Sequence, residues 1–338
     1  MPINRQWLLK RRPQGKLSPA DFEYRETEMP DPTGTLEPGE LLIRNRLFAC
    51  APAMRNALDQ SGNGVFPPME LGTPVVSPAG GEVLASARDG IVPGAHVVYM
   101  GRWQDFQKIG ASEPMSPIPE GMELIEAMGS NGANAITAYV GLIKVGQPRA
   151  GQTLVVSAAA GSTGATAAQI GKIVGCRVIG IAGGEAKCKW LREQLHLDET
   201  IDYRRANVEA EMRRLCPNGI DIYFDNVGGE ILTAAVENMA PSGRIVLCGQ
   251  IAKYDGNLRD TPHLNMMRLI YLNIRIEGFT AGPFLSSIDE ARGRLKAWTA
   301  EGKLIHQLDI HRGFKSLPET YGMLFDGRNN GTLLVAND

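Results

Sequence analysis

Residues 153–164, TLVVSAAAGSTG, constrain the fold of this chain more than any other stretch. A short apolar run leads into a turn of small residues, and a helical pattern then continues through ATAAQIGKIVG to Gly175. A strand, a tight turn and a helix in this order let backbone N–H groups at a helix N-terminus face an anion. The stretch is therefore either a pyrophosphate-binding turn or a packing turn between a helix and a sheet, since small residues serve both purposes.

The turn only partly follows the dinucleotide-binding fingerprint G-x-G-x-x-G. Ala159 takes the place of the first glycine, whereas Gly161 and Gly164 hold the second and third places, with Ser162 and Thr163 between them. Taken alone, this match leaves both interpretations open.

The remaining pattern predicts an α/β protein of two domains. Residues 130–302 alternate short apolar runs with helical stretches, which predicts crossover units and a parallel, doubly wound Rossmann-type sheet. They begin with a helix that we predict to run from Asn134 to Gly146. Residues 1–129 instead show short strands separated by Pro and Gly, and residues 303–338 are mixed, so we predict that these two segments form a second, mostly β domain.

Composition favours a protein with a small neutral partner. The formal net charge is −2 and 21% of residues are charged, so nothing indicates nucleic acid or an anionic membrane as a partner. No apolar run approaches the roughly 20 residues that a membrane span needs, and no secretory leader is recognised. Five scattered cysteines without a C-x-x-C pair favour a reducing compartment, so we expect a cytoplasmic protein.

The end of the second strand of the alternating region indicates which nicotinamide cofactor is bound. An NAD-selective fold places Asp or Glu there to bind the ribose hydroxyls, but this chain has Ala182, Gly183 and Gly184. Lys187 follows, where its ammonium could pair with a 2′-phosphate. We therefore favour NADP(H) over NAD. Two alternatives stay open: Lys187 is an ordinary solvated lysine, or Glu185 reaches the ribose.

Several segments resemble one protein family. They are TAYVGLIKVGQPRAGQTLVVSAAAGSTGATAAQIGKIVGC, YFDNVGGEIL, APSGRIVLCGQIAKYDG, RIEGF and GRNNG. The chain resembles the medium-chain dehydrogenase/reductase superfamily, in its zinc-independent branch of NADPH-dependent double-bond reductases, which act on 2-alkenals, prostaglandins or curcumin. The resemblance implies a GroES-like first domain, catalysis between the two domains, and a homodimer.

The resemblance also implies which residues bind the cofactor. Lys187 and Tyr203 would contact the 2′-phosphate, and Phe279 and Asn329 would lie near the nicotinamide. The residues implied along the cofactor between these ends are Asn226, Cys248, Gly249 and Tyr254, in addition to the glycine turn of Gly161, Ser162, Thr163 and Gly164.

The zinc ligands of the related alcohol dehydrogenases are missing. A catalytic zinc needs about three protein ligands. Cys50 lies near the first expected place, but the following stretch VFPPMELGTPVVSPAGGEV contains no histidine, and His96 stands alone. We therefore predict that the protein binds no metal.

Without a metal, reduction of a conjugated C=C bond demands the least of the side chains. Hydride goes to the β-carbon of an α,β-unsaturated aldehyde or ketone, and one donor stabilises the enolate oxygen. Tyr254 is the candidate donor, or a residue that only packs on the cofactor. An alternative is a zinc-free alcohol dehydrogenase or quinone reductase that uses NADP; a second is a nucleotide-binding protein without catalysis.

The chain departs from the family at residues 130–135, at Thr332 and in the first domain, where relatives read approximately D-P-Y-M-R. Ala51 and Ala53 replace an acid and an aromatic ring, so we expect a wider or differently shaped substrate pocket. Arg55 is either a buried ion-pair partner or a substrate contact, and we favour the former.

Overall fold

The computed structural model of the protein describes residues 3–30, 36–59, 67–254 and 264–337. The chain forms two compact units. One consists of Met1–Gly129 and Leu308–Asp338, the other of Ser130–Gln307. We call them the β unit and the α/β unit. The chain re-enters the β unit at Leu308, whereas the sequence pattern placed this return at residue 303.

The described residues of the N-terminal part of the β unit form seven strands and two short α-helices. The strands are β1 (Ile3–Leu9), β2 (Phe22–Glu28), β3 (Leu41–Ala49), β4 (Val76–Ser86), β5 (His96–Arg102), β6 (Phe106–Ile109) and β7 (Met115–Pro117). The helices are α1 (Met54–Leu58) and α2 (Leu124–Met128).

The α/β unit follows with alternating strands and helices. Its strands are β8 (Thr153–Val156), β9 (Arg177–Ala182), β10 (Glu199–Asp202), β11 (Ile220–Asp225), β12 (Met239–Leu247) and β13 (Arg275–Gly278). Its α-helices are α3 (Ala133–Tyr139), α4 (Ser162–Val174), α5 (Glu185–Glu193), α6 (Val208–Leu215), α7 (Gly229–Glu237), α8 (Met266–Tyr271) and α9 (Ile288–Ala300).

The chain then returns to the β unit through β14 (Leu308–Arg312), α10 (Leu317–Asp326) and β15 (Thr332–Ala336). There β14 and β15 join the main sheet in the order β14-β15-β3-β4-β5-β7, while β1 pairs with β2. Leu41 and Ile43 of β3 are buried in a core that also contains Trp103, and Leu47 is buried in a second cluster with Met128 and Leu334. Buried residues along β3 thus pack it into the unit and specify its register.

All strands of the α/β unit are parallel, in the order β10-β9-β8-β11-β12-β13. The order reverses beside β8, which is where open α/β sheets bind ligands, at the carboxyl ends of the strands. The predicted fold class, a Rossmann-type domain with a separate mostly β domain, is confirmed.

The predicted helix from Asn134 to Gly146 is correct only in its first half. An α-helix covers Ala133–Tyr139, and a π-helix follows over Val140–Gly146. A Cβ at Gly141 would lie 2.3 Å from Cζ of Phe279 and 2.9 Å from Cε2 of Phe224. Two aromatic rings thus lie against the backbone at the point where the helix widens, a contact that the helical pattern does not reveal.

The apolar run RIVLCG in the sequence predicts a strand that starts at Arg244. The observed strand β12 begins earlier, at Met239, and includes Pro241 and Ser242. Ser242 has a left-handed backbone, with φ of 60°, and the pairing of β11 with β12 shifts register there. Residues that disfavour strands therefore obscured this start.

Among the described residues, no helix combines the length and the apolar character that crossing a membrane requires.

Candidate functional site

The glycine turn joins β8 to α4 and is tightly packed. A Cβ at Gly164 would lie 2.3 Å from the carbonyl oxygen of Ala158. Ala158 itself has a left-handed backbone, with φ of 47°. Ala159, which replaces the first glycine of the fingerprint, has the buried position and donates its N–H to the carbonyl of Ile181 in β9. The chain therefore turns sharply here without the first glycine.

The backbone N–H groups at the N-terminus of α4 can bind an anion. Gly161 is the N-cap residue, and among the described residues no side chain caps the helix. The first N–H groups of an α-helix have no partner within the helix, and the helix dipole favours negative charge at this end. Ser162 and Thr163 form the first turn and are partly exposed. Such a turn suits a phosphate group.

A buried carboxylate, that of Asp225, lies at the end of β11 and joins neighbouring strand ends. Its Oδ1 accepts hydrogen bonds from the hydroxyls of Ser157 and Tyr223, both at 3.0 Å. It also accepts from the backbone N–H groups of Val227 at 3.1 Å and Gly228 at 3.0 Å. Asp225 thus fixes the end of β8 and the loop into α7.

Burial is the largest influence on the ionisation of Asp225, whose side chain is fully buried. It raises the pKa of the carboxyl, while the donated hydrogen bonds act in the opposite direction. The sequence pattern does not single out this residue as part of a site. The only signal was an acid at the very end of an apolar strand, in IDIYFDN, where parallel sheets bring polar groups together.

Both the side-chain amide and the backbone N–H of Asn226 make hydrogen bonds within the fold. Its side chain donates to the carbonyl of Ser157 at 2.7 Å, and its backbone N–H donates to the Ser157 hydroxyl at 2.8 Å. The predicted cofactor residue is therefore also a bridge between β8 and β11.

Main-chain hydrogen bonds attach segment 248–254 to the end of β11. Cys248 and Gly249 both donate to the carbonyl of Asp225, at 2.8 and 3.0 Å. Ile251 donates to the carbonyl of Asn226 at 3.3 Å. A 3-10 helix over Ile251–Lys253 then leads to Tyr254, which is partly buried. The segment has a defined path, so Tyr254 starts from a defined backbone position.

Phe279 lies directly after β13, at the same edge of the sheet. Its ring makes a T-shaped contact with Phe224, with ring centroids 6.5 Å apart, and covers Gly141 of the π-helix. Only glycine at position 141 leaves room for the ring in this place. π-Helices occur frequently at functional sites.

The ends of β9 and β10 meet at a pair of glycines. A Cβ at Gly183 would lie within 2.9 Å of three atoms of the Tyr203 ring, so the phenol lies directly on this backbone. Gly184 has φ of 95°, a conformation that favours glycine, and its N–H donates to Oδ1 of Asp202 at 2.8 Å. The glycines therefore let the Tyr203 ring lie flat against the backbone at the end of β9. The segment that directly follows β9, Gly183 and Gly184, carries no carboxylate of its own.

Glu185 and Lys187 both lie in the first turn of α5. The carboxylate of Glu185 accepts a hydrogen bond of 2.7 Å from Arg192 on the same helix. Lys187, two residues later, is partly buried. Glu185 thus has a cationic partner on its own helix, which favours the phosphate interpretation of Lys187 over a ribose role for Glu185.

The remaining predicted residues lie in the β unit. The side chain of Asn329 donates to the carbonyl of Gly331 at 3.3 Å, just before β15. Ala53 is exposed at the start of α1. Arg55 is 1% exposed and forms an ion pair with Asp59, which agrees with the ion-pair interpretation.

The α/β unit offers the groups that a dinucleotide needs: an uncapped helix N-terminus after a tight turn, a pair of glycines at the end of β9, and a lysine in the first turn of α5. These residues fit an NADP molecule. Among the described residues, no group of three or more His, Cys, Asp or Glu side chains is placed to hold a metal ion.

Comparisons with known proteins agree with this geometry. A family model described as "Zinc-binding dehydrogenase" matches residues 162–296, and one described as "N-terminal domain of oxidoreductase" matches residues 5–117. The NADPH-dependent curcumin reductase of Escherichia coli is 32% identical over 98% of this chain and 96% of its own length. The NADP(+)-dependent 2-alkenal reductase of Nicotiana tabacum is 30% identical over 98% of this chain and 97% of its own.

A solved structure matches equally well. The crystal structure of CurA in complex with NADPH from Vibrio vulnificus superposes with a TM-score of 0.91 and is 31% identical, covering 99% of both chains. The protein is an oxidoreductase, and the chain belongs to the medium-chain dehydrogenase/reductase superfamily, in the branch of NADPH-dependent double-bond reductases.

Proposed function

We propose that the protein is an NADPH-dependent reductase of the C=C bond of α,β-unsaturated aldehydes and ketones. Its relatives named above reduce curcumin or 2-alkenals with this cofactor, and they match nearly the whole chain. The observation that carries the proposal is the attachment of segment 248–254 to the end of β11, which holds Tyr254 at the carboxyl edge of the sheet.

The cofactor residues are proposed as follows. The pyrophosphate lies on the turn of Gly161, Ser162, Thr163 and Gly164, and Lys187 and Tyr203 contact the 2′-phosphate. Asn226, Cys248 and Gly249 line the middle of the cofactor by packing against it, because the Asn226 amide and the backbone N–H groups of all three residues already hold the strand ends. Phe279 and Asn329 lie near the nicotinamide.

Bound NADPH supplies the hydride for this reaction. The protein must then stabilise the negative charge that develops on the carbonyl oxygen of the substrate and exclude competing chemistry. We propose that the phenol of Tyr254 donates a hydrogen bond to this enolate oxygen. A donor on an anchored segment needs little reorganisation during the reaction, which is what makes such a hydrogen bond effective.

The test is NADPH oxidation with identified products, using an enal, an enone and a quinone. The proposal predicts a saturated aldehyde or ketone, with deuterium at the β-carbon when deuterated NADPH is used. An allylic alcohol would indicate an alcohol dehydrogenase instead, and a hydroquinone a quinone reductase. Tight NADPH binding without turnover on any substrate would indicate a non-catalytic nucleotide-binding protein.

The donor role of Tyr254 is tested separately with Tyr254→Phe. We expect kcat to fall at least about tenfold with little change in the KM for NADPH, because only the donor to the developing charge is lost. Tyr24→Phe is the matched control, since it removes a phenol that is hydrogen-bonded to Glu26 in the β unit. Equal kcat values for the two variants would refute the role.

We further propose that the protein forms a homodimer in the cytoplasm through the outer edge of the parallel sheet. The supporting feature is an exposed apolar face of α8, next to the edge strand β13: Met266, Met267, Ile270 and Tyr271 are between 55% and 74% exposed. Exposed apolar patches of this kind mark interaction surfaces. Size measurement in solution tests the dimer, and an Ile270→Glu variant should dissociate it.

All five cysteines are unpaired, as expected for a reducing compartment.

A further inference from the structure

The end of β10 carries a second cation close to the proposed 2′-phosphate site. Arg204 follows Tyr203 directly, and its guanidinium carbon is 6.0 Å from the centre of the Tyr203 ring. Its Nη1 atom is 4.0 Å from the place where a Cβ on Gly184 would lie. The Arg204 guanidinium therefore lies beside the same glycine pair that the Tyr203 ring covers.

The backbone of Arg204 is attached to this glycine turn. Its N–H donates to Oδ1 of Asp202 at 3.0 Å, and the same oxygen accepts from the N–H of Gly184 at 2.8 Å. One carboxylate oxygen thus binds both sides of the loop. The Arg204 side chain consequently starts from a position fixed relative to the glycines.

The negative charge of a phosphate bound at this loop would exceed the positive charge of a single cation. A phosphate monoester carries about −1.5 to −2 at neutral pH. The carboxylate of Asp202, 11% exposed, lies in the same loop, and Lys187 contributes a single positive charge. Arg205 lies 3.9 Å from Asp202 and offsets that carboxylate, but the charge of a bound phosphate still exceeds that of Lys187 alone. The guanidinium suits this role because its forked donors match phosphate oxygens.

We infer that Arg204 is a second cationic ligand of the 2′-phosphate, and that it shares with Lys187 the selection of NADPH over NADH. The inference rests on the proposed NADPH-dependent function, which it makes more specific.

The neighbouring Arg205 provides a matched control. It has the same charge, and its side chain is 77% exposed, with Nε 3.9 Å from Oδ2 of Asp202. Replacing either arginine by glutamine changes the net charge equally. Any general electrostatic effect on an anionic ligand should therefore be the same in both variants.

The experiment measures binding of 2′,5′-ADP and of 5′-ADP by calorimetry to the wild-type protein, Lys187→Ala, Arg204→Gln and Arg205→Gln. Arg204→Gln should raise the Kd for 2′,5′-ADP about tenfold and that for 5′-ADP less than about twofold. Arg205→Gln should change neither Kd by more than about twofold, since the side chain of Arg205 is 77% exposed and lies beside Asp202, and exposed ion pairs contribute little. The Kd of Arg204→Gln should also depend less steeply on salt than that of the wild type.

The outcomes separate the inference from the function on which it rests. If Arg204→Gln and Arg205→Gln bind 2′,5′-ADP equally well while Lys187→Ala binds it weakly, Arg204 is not a ligand and the inference fails alone. If the wild-type protein binds 5′-ADP as tightly as 2′,5′-ADP, the proposed preference for NADPH fails as well. Partial rescue by Arg204→Lys, which keeps the charge but not the fork, would support the inference.

Discussion

Buried hydrogen bonds hold the chain at the ends of β8 and β11, whereas exposed or partly buried side chains surround the ends of β9 and β10. In the first region the fully buried Asp225 accepts hydrogen bonds from two side chains and two backbone N–H groups. In the second, Lys187, Tyr203 and Arg204 lie at the surface around two glycines. One edge of the sheet thus combines a buried, hydrogen-bonded region at β8 and β11 with a region at β9 and β10 whose side chains can be replaced more readily.

This difference has a consequence for mutations. A change in the first region leaves donors unpaired in the interior and should lower stability together with cofactor binding. A change in the second region removes a charge from solvent and should alter cofactor choice without unfolding the protein.

Asp225→Ala should have the largest effect. The substitution removes a buried acceptor and leaves its hydroxyl and backbone donors without a partner, so we expect a loss of about 3 kcal/mol or more in unfolding free energy. Urea unfolding followed by circular dichroism measures it. Asp289→Ala, at a carboxylate that is 98% exposed, is the control and should leave the midpoint almost unchanged. Equal midpoints would show that the Asp225 network does not stabilise the strand ends.

Gly164→Ala should come next. The new Cβ would lie 2.3 Å from a backbone oxygen, which cannot move freely, so we expect a loss of roughly 1–3 kcal/mol and weaker NADPH binding. Gly293→Ala is the matched control in α9, because nothing lies within 4 Å of its Cβ position. A helical alanine there should stabilise the protein by up to about 1 kcal/mol. If both variants are stabilised, the close contact at Gly164 is wrong.

Lys187→Ala tests the region at the ends of β9 and β10. We expect the KM for NADPH to rise about tenfold and that for NADH to change little, since only the phosphorylated cofactor loses a charged partner. The thermal unfolding midpoint should stay within a degree or two, as for a surface substitution. Steady-state kinetics with both cofactors provides the measurement. Equal changes in the two KM values would remove Lys187 from the 2′-phosphate site.

His306, which follows α9, should affect the stability of the protein but not its cofactor preference. Burial lowers the pKa of its imidazole to about 4, from about 6.5 in the unfolded chain. The folded state therefore holds it neutral, and its contribution to stability is complete above pH 6.5 and is lost as the pH falls towards 4. Between pH 7 and pH 6 we expect a loss of about 1 kcal/mol or less from this residue.

A His306→Gln variant, which cannot titrate, should lose less stability than the wild type over the same pH interval, while its preference for NADPH stays unchanged. Urea unfolding at the two pH values measures this. Identical pH dependence of the two proteins would show that His306 is not held neutral by the fold.

The alternation of strands and helices in the α/β unit could be predicted because each element carries its own periodicity and the crossovers between parallel strands have one hand. The π-helix could not, since its Gly141 packs against Phe279, which lies far along the chain. The early start of β12 was hidden by Pro241 and Ser242, and α8 was not predicted because its six residues, MMRLIY, are too short and too uniformly apolar to show a helical period.

The site shows the same limit. The glycine turn and Lys187 could be recognised from local order, since each follows a strand that is visible in the sequence. The role of Asp225 could not, because its donors include Ser157, 68 residues earlier in the chain. Arg204 likewise looks like an ordinary surface arginine until the Tyr203 ring is seen to lie on Gly183.

A crystal structure of the protein grown with NADP+ tests the central claim most directly. The account predicts the pyrophosphate on the turn of Gly161–Gly164 and the 2′-phosphate within hydrogen-bond distance of Lys187, with no metal ion beside the nicotinamide. A glycine turn without the cofactor, or a zinc ion coordinated by protein side chains next to the nicotinamide, would contradict it.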